Sequence, residues 1–313
     1  MKRLRYRDGL RNGERTKVMG KSILVTGAST GLGKEMALYL AERGFEVYGT
    51  MRDLNDAESL LSAARSRKTR LNVLALDVTN TTSIRNAVES MVAETGGIYG
   101  VINNAGIGLR GYFEDLDGEE IRRMFDANVF GVMEVTRAVL PHMRRAESGR
   151  ILLISSVGGR IGSLGVSTYC ATKFAIEGFG ESLFMELAPL GIRVSLIEPG
   201  IIKTERWTMN RGVGARAADP ASPYYAWFMQ SEHQADKLVQ ASTATPADVA
   251  AVVHQALISE SPKLRYMVGR KAKAAVALRR WLPGDLFERI YFGVVIRRAT
   301  QLQPLNTKAG FKS

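Results

Sequence analysis

Residues 169–173 read YCATK, a phenol (Tyr169) four positions before an ammonium (Lys173). On a helix this spacing brings both side chains to one face, so their polar tips meet over a common point. A free tyrosine titrates near ~10 and a lysine near ~10.4. A neighbouring cation favours the phenolate, which makes the phenol a proton donor and acceptor usable near neutrality. The chemistry on offer is proton exchange with an oxygen of a bound molecule. An ordinary surface pair has the same spacing, because a two-residue motif matches easily by accident.

A second stretch points to the partner such an exchange needs. Residues 26–33 read TGASTGLG, directly after a short apolar run, SILVT at 22–26. Gly27, Gly31 and Gly33 follow G-x-x-x-G-x-G. Glycines at a strand-to-helix turn let the backbone approach a pyrophosphate, whose charge meets the N-terminus of the next helix. The end of the second apolar run, VYGTMRD at 47–53, bears on which dinucleotide binds. A carboxylate there would bind the ribose 2′-hydroxyl of NAD, and an arginine would accommodate the 2′-phosphate of NADP. Met51 stands where the acid is expected and Arg52 follows, which favours NADP(H). Asp53 is able to pair with Arg52 and keeps NAD(H) compatible.

Other chemistries find less support. The single cysteine, Cys170, allows no intramolecular disulfide and points to a reducing, cytoplasmic compartment. Beside Tyr169 it reads as a packed thiol rather than a nucleophile. His142, His233 and His254 are scattered, so no metal site is expected, and His142 reads as a helix-surface residue rather than a base.

These residues need a scaffold, and the hydrophobic pattern supplies one. Strands are expected at 22–26, 46–50, 72–76, 99–103, 150–155, 193–197 and 265–268. Helices are expected at 32–43, 81–94, 118–145, 167–188 and 246–259, with Gly44 as a stop for the first. TPAD at 245–248 reads as a helix start, with Thr245 capping, Pro246 in the first turn and Asp248 completing a capping box. Alternating strands and helices predict an α/β fold: a doubly wound, Rossmann-type parallel sheet of seven strands in a single domain, with helices on both faces.

The net charge of +12 sits at the two ends. Residues 1–21 carry eight Lys/Arg against two acids, residues 263–313 carry twelve against two, and the body between them 23 against 27. Basic ends on a mildly acidic body argue against a nucleic-acid surface and fit a solvated tail or contact with anionic lipid. Residues 1–20 read as a basic, disordered extension; Met19 precedes GKSILVTG, so the first 18 residues read as a leader or an over-extended start. The catalytic domain is expected over 21–270 and a helical extension over 271–313.

Taken together, the motifs resemble the short-chain dehydrogenase/reductase family over about residues 21–270. TGASTGLG looks like the family's cofactor loop, which implies contacts from Gly27, Ser29, Thr30, Gly31, Leu32 and Gly33. LDVT at 76–79 resembles the segment whose aspartate, here Asp77, contacts the adenine with Val78 beside it. NNAG at 103–106 matches the motif closing the fourth strand and implies Asn104, Ala105 and Gly106. Asn128, Ser156, Tyr169 and Lys173 match the family's catalytic tetrad. EPGIIKT at 198–204 resembles the segment in which Ile202 and Thr204 hold the nicotinamide carboxamide. Of the adjacent Ser155 and Ser156, the family's spacing selects Ser156 and leaves Ser155 buried at the strand end.

The resemblance assigns roles. Tyr169 exchanges a proton with the substrate oxygen, Lys173 lowers its pKa and binds the ribose hydroxyls, and Ser156 hydrogen-bonds the substrate. Asn128 holds a water linking Lys173 to solvent. Residues 203–244 form the expected substrate lid, with Trp207, Met209, Tyr224, Tyr225, Trp227, Phe228 and Met229 favouring a lipophilic small molecule. VYGTMRDLND and the overall length look like the hydroxysteroid and retinol dehydrogenase branch. The implied protein is an NADP(H)-dependent alcohol/ketone oxidoreductase acting as a homo-oligomer. Its alternatives are a reductase of 3-oxoacyl chains on carrier protein or coenzyme A, and a non-catalytic NADP-sensing protein. Finally, GDLFERIYFGVVIRR places Leu286, Phe287, Ile290, Tyr291 and Val294 on one helical face, to be docked on the protein or a partner subunit, or laid on an anionic membrane.

Overall fold

The central strands of the sheet, Ser22–Val25, Gly100–Asn103, Gly149–Ile154 and Ile192–Pro199, are apolar runs buried almost throughout, while Asn72–Ala75 and Arg265–Val268 at the edges are more open. A computed structural model describes residues 20–204 and 212–300. In β1 (Ser22–Val25) Ile23 and Val25 face one side and Leu24 the other, and all are buried. Burial on both faces is what a parallel sheet between two helical layers requires.

The seven-stranded sheet comprises β1, β2 (Glu46–Met51), β3 (Asn72–Ala75), β4 (Gly100–Asn103), β6 (Gly149–Ile154), β7 (Ile192–Pro199) and β9 (Arg265–Val268). The spatial order is β3-β2-β1-β4-β6-β7-β9, and every pairing is parallel. All seven expected strands are present. A separate parallel pair, β5 (Leu109–Arg110) and β8 (Gly212–Val213), was not anticipated, because two-residue strands carry no readable periodicity.

One core cluster lies under α1 (Gly31–Ala41), α2 (Ala57–Ser66) and α8 (Pro246–Ile258). The other lies under α3 (Thr81–Thr95), α5 (Gly131–Arg145) and α6 (Ser167–Leu187). The start of α8 is the expected capping box: the Asp248 amide donates to Thr245 Oγ1 and the Thr245 amide to Asp248 Oδ2. Helix α1 ends at Ala41, earlier than expected; Gly44, at φ +87°, closes the turn by donating to the Ala41 carbonyl.

Two departures from a regular helix matter. The expected helix 118–145 is α4 (Gly118–Phe125), then five π-helical residues, Asp126–Phe130, then α5. After α7 (Tyr225–Gln240) and α8 come α9 (Arg270–Trp281), α10 (Gly284–Phe287), a second π-helical stretch, Glu288–Phe292, and α11 (Gly293–Thr300), the last of the described elements. That stretch rotates the register, so the anticipated apolar face divides. Phe287 is 2% exposed and stacks on Tyr291, Tyr291 and Val294 are half-buried, and Leu286 and Ile290 remain exposed. The N-terminal extension, and Trp207 and Met209 of the lid, lie outside the described residues.

Candidate active site

The strand order reverses between β1 and β4, and in an open parallel sheet ligands bind at such a switch point beyond the carboxyl ends of the strands. The glycine loop leaves β1 there. Gly27, at φ +67°, lies against Ala105, where an added Cβ would come within 2.9 Å of the Ala105 Cα. A Cβ on Gly33 would collide with the Gly27 carbonyl oxygen. Thr26 knits this loop to the end of β4: its Oγ1 accepts from the amides of Asn104 and Ala105, both at 3.0 Å. The Asn104 side-chain amide donates to the carbonyls of Thr26 and Gly27 at 2.9 and 3.0 Å. Thr30 precedes α1 without capping it by its side chain, and Ser29 is half-buried beside it, so the amides of the first helical turn are left for a ligand. Leu32 packs against the core. This backbone cradle fits a dinucleotide pyrophosphate.

The neighbouring residues fall around the same edge. Met51 is buried at the end of β2 and Arg52 is exposed just beyond it. Asp53 is engaged: its Oδ1 accepts from the Asn55 amide at 2.9 Å and caps the turn Leu54–Asp56. Asp77 Oδ1 accepts from the amide and hydroxyl of Thr79, and Val78 packs against Gly131, where a Cβ would meet it at 2.9 Å. Ile202 is buried in the core cluster, while Lys203 and Thr204 join Gly31, Lys34 and Arg67 around a cleft of about 540 Å³.

Tyr169 sits in the first turn of α6, half-buried, and Lys173 one turn on, buried. Lys173 Nζ lies 5.7 Å from the centre of the Tyr169 ring and donates to the Ile154 carbonyl at the end of β6 at 2.8 Å. Ser156 follows β6 by two residues. Its Oγ accepts from the Gly158 amide at 3.0 Å, which leaves the hydroxyl proton for another acceptor. Ser155 is buried at the strand end. Cys170 is buried, and burial pushes its thiol up, against a nucleophilic role. His142 lies in the last turn of α5 against Arg145, where burial lowers its pKa, and it does not join the site.

Asn128 is set by the π-helical turn, a feature that often marks functional positions. Its Oδ1 accepts from the Ile107 amide at 2.7 Å, and its Nδ2 donates to the Ile107 carbonyl at 2.8 Å and to Thr172 Oγ1 at 3.2 Å. Thr172 in turn donates to the Tyr169 carbonyl at 2.7 Å. Gly106 makes room, since a Cβ there would lie 2.8 Å from Asn128 Oδ1. Thr172 and Thr26 were missed as positioning residues, although both lie inside the quoted motifs YCATK and TGASTGLG.

The segment expected as a substrate lid is anchored on the residues after β4. Arg110 pairs with Glu232 of α7 at 2.9 Å, both side chains only 12% exposed. Tyr112 stacks on Tyr224 at 5.1 Å and tilts against Trp227 at 6.3 Å. Ser222 donates to Asp115, and the Gly111 amide donates to Gly165, just before α6. Phe228 is buried in the lid and Met229 exposed.

A family model for short chain dehydrogenases matches residues 21–212. A 3-ketodihydrosphingosine reductase of Bacteroides thetaiotaomicron is 35% identical over 276 residues, 87% of this chain and 98% of that protein. Human 17-beta-hydroxysteroid dehydrogenase type 1 is 34% identical over 264 residues, covering 82% of this chain and 80% of its own length. Among solved structures, a short-chain dehydrogenase from Streptomyces avermitilis superposes with a TM-score of 0.72 at 33% identity, over 88% of this chain and 98% of that one.

Proposed function

The chain belongs to the short-chain dehydrogenase/reductase family, and we propose that it interconverts a secondary alcohol and a ketone, or a related alcohol and aldehyde, on a lipophilic substrate with NADP(H). The observation that carries this reading is the grouping of Tyr169, Lys173 and Ser156 at the carboxyl end of β6, where a Cβ on Gly158 would lie 3.5 Å from both Ser156 Oγ and the Tyr169 ring. The stacked Tyr112, Tyr224 and Trp227 supply the aromatic surface expected for an apolar substrate. When bound, the nicotinamide supplies or takes up the hydride. The glycine loop and the start of α1 hold its pyrophosphate, Arg52 the 2′-phosphate, and Asp77 and Val78 the adenine. Asn104, Ala105 and Gly106 line its path, and Ile202 and Thr204 meet the carboxamide.

The chain's own residues handle the proton. Ser156 donates its free hydroxyl hydrogen to the substrate oxygen, and Tyr169 gives or takes a proton at that oxygen. Lys173 sets a positive charge beside the phenol, which favours the form carrying negative charge. Asn128 and Thr172 brace the backbone of Tyr169 and of Ile107. The names of the two relatives, one a reductase of a keto compound and one a hydroxysteroid dehydrogenase, support a hydroxyl/ketone pair on an apolar body. A 3-oxoacyl chain is a second substrate class. An apolar groove of about 260 Å³ between Gly162–Leu164 and Tyr291, Phe292, Val295 and Ile296 favours it, having room for a chain.

The test is NADPH absorbance with steroid, retinoid, 3-keto sphingoid and 3-oxoacyl ketones. Turnover on at least one is expected, and Tyr169→Phe should lower kcat about 10²- to 10⁴-fold with NADPH binding nearly intact. Undiminished turnover in that variant rejects the mechanism. Turnover confined to sugars or small polar acids rejects the lipophilic substrate.

A further inference from the structure

Helix α9 exposes the wrong residues for water. Its seat on the protein is narrow: Ala272 is buried, and a Cβ on Gly200 would lie 2.8 Å from the Ala272 Cβ. Ala275 and Val276 are half-buried on that side, and Arg279 donates to the Arg160 carbonyl and lies 5.9 Å from the Phe287 ring. The opposite face carries Ala274, Ala277, Leu278 and Trp281, at i, i+3, i+4 and i+7, and all four are exposed. Trp281 is 80% exposed, the most of any large apolar side chain among the described residues. This stripe is bordered by Lys273 and Arg280 on one side and Lys271 on the other, with Arg270 at its head. Residues 270–281 hold five Lys/Arg and no acid.

We propose that this face of α9 docks on an anionic lipid surface, with Trp281 and Leu278 in the headgroup region and Lys271, Lys273 and Arg280 on lipid phosphates and carboxylates. A tryptophan has an apolar body and one polar edge, which suits it to the boundary between headgroups and acyl chains. The cations around it gain from a negative surface potential. A second copy of this chain would bring like charge against like charge over the same stripe, which disfavours self-association there. Leu286 and Ile290, also exposed, extend the apolar surface beyond α9. No helix among the described residues is long and apolar enough to cross a membrane, and the contact proposed lies along the surface. Tyr291 and Phe292, with Val295 and Ile296 of α11, wall the groove at Gly162–Leu164.

The experiment is co-sedimentation of the full chain, without cofactor or substrate, with phosphatidylcholine vesicles and with vesicles holding one phosphatidylserine for every two phosphatidylcholines. Native protein should pellet with the phosphatidylserine vesicles and release in high salt. Each removed cation should weaken binding about fivefold, so Lys271→Glu with Lys273→Glu and Arg280→Glu should abolish it. Trp281→Ala should weaken binding about tenfold or more. All of these side chains are exposed, so thermal midpoints and ketone turnover in solution should hold. Native protein remaining in the supernatant, or pelleting equally with both variants, overturns the proposal. So does a native oligomer that breaks up on Trp281→Ala without vesicle binding, which would mark the face as a subunit contact. Because the assay contains no substrate, its outcome is independent of whether the proposed reaction is correct.

Discussion

Arg52 stands exposed just past β2 while Asp53 turns its carboxylate onto the Asn55 amide, and on the proposed reading the arginine would meet the 2′-phosphate of NADP(H). A guanidinium offers a phosphate a permanently charged, planar fork. A hydrogen bond to a charged partner is worth ~1.5–3 kcal/mol. Arg52→Ala should therefore weaken NADPH about ten- to a hundredfold, at ~1.4 kcal/mol per factor of ten. NADH, lacking the 2′-phosphate, should change little. Restoring an acid at position 51 is the less clean test, because Met51 is buried in the core cluster and a carboxylate there would lack solvent. Fluorescence titration of both nucleotides into the native protein and Arg52→Ala checks this. Tighter binding of NADH by the native protein would reject the assignment.

Helix α7, proposed to cover the substrate, is tied to β5 by an ion pair as well as by the aromatic contacts of Tyr112. Arg110 and Glu232 are nearly buried and join α7 to β5. Breaking a pair of this kind by removing one partner costs about 3–5 kcal/mol when it is fully buried, because the remaining charge is left in a poor medium. Glu232→Ala should loosen α7 by up to about 3 kcal/mol, so its amides exchange up to about a hundredfold faster. KM for the lipophilic substrate should rise, whereas NADPH binding, proposed to rest on the glycine loop and Arg52, should change less. Hydrogen exchange by mass spectrometry, read peptide by peptide, separates these outcomes. Unchanged exchange over 225–240 would show that the aromatic contacts of Tyr112 hold the lid without the pair.

The stability of the molecule as a whole should depend on pH through His254. It is buried in α8 between Tyr39 and Phe45, with ring centres 6.1 and 6.0 Å away. Burial first, and the Arg43 charge second, push its pKa down from 6.5 to about 4. Between those values the unfolded chain holds the proton and the folded one does not. Stability is therefore complete above about pH 6.5 and is lost as pH falls toward about 4, by up to about 3 kcal/mol. Glu177, whose carboxyl burial lifts, acts in the opposite direction, since the folded chain takes up its proton at a higher pH than the unfolded one. Comparison with His254→Gln isolates the histidine. Urea midpoints of the native protein should fall between about pH 7 and about pH 5 more steeply than those of His254→Gln. Parallel slopes would reject the argument.

Much of this protein is legible in local pattern. Short apolar runs alternating with amphipathic ones required a two-sided parallel sheet, and all seven strands fell where the runs lie; the signal is plainest in β1, β4, β6 and β7, buried on both faces. The glycine turn after β1 and the shared helical face of Tyr169 and Lys173 were legible too, since turn geometry and helical spacing are properties of neighbouring residues, whereas the roles assigned to them came from the resemblance. Contacts between distant segments were not. The π-helical turns at 126–130 and 288–292 insert a residue into the helical register, a shift that depends on what the helix packs against. One aims Asn128 at Ile107 and Thr172; the other turns Phe287 inward and divides a face that looked continuous in the sequence. The pairing of Arg110 with Glu232, 122 residues apart, and the exposure of Trp281 follow from which surfaces the folded chain happens to cover, and that is settled by packing rather than by spacing.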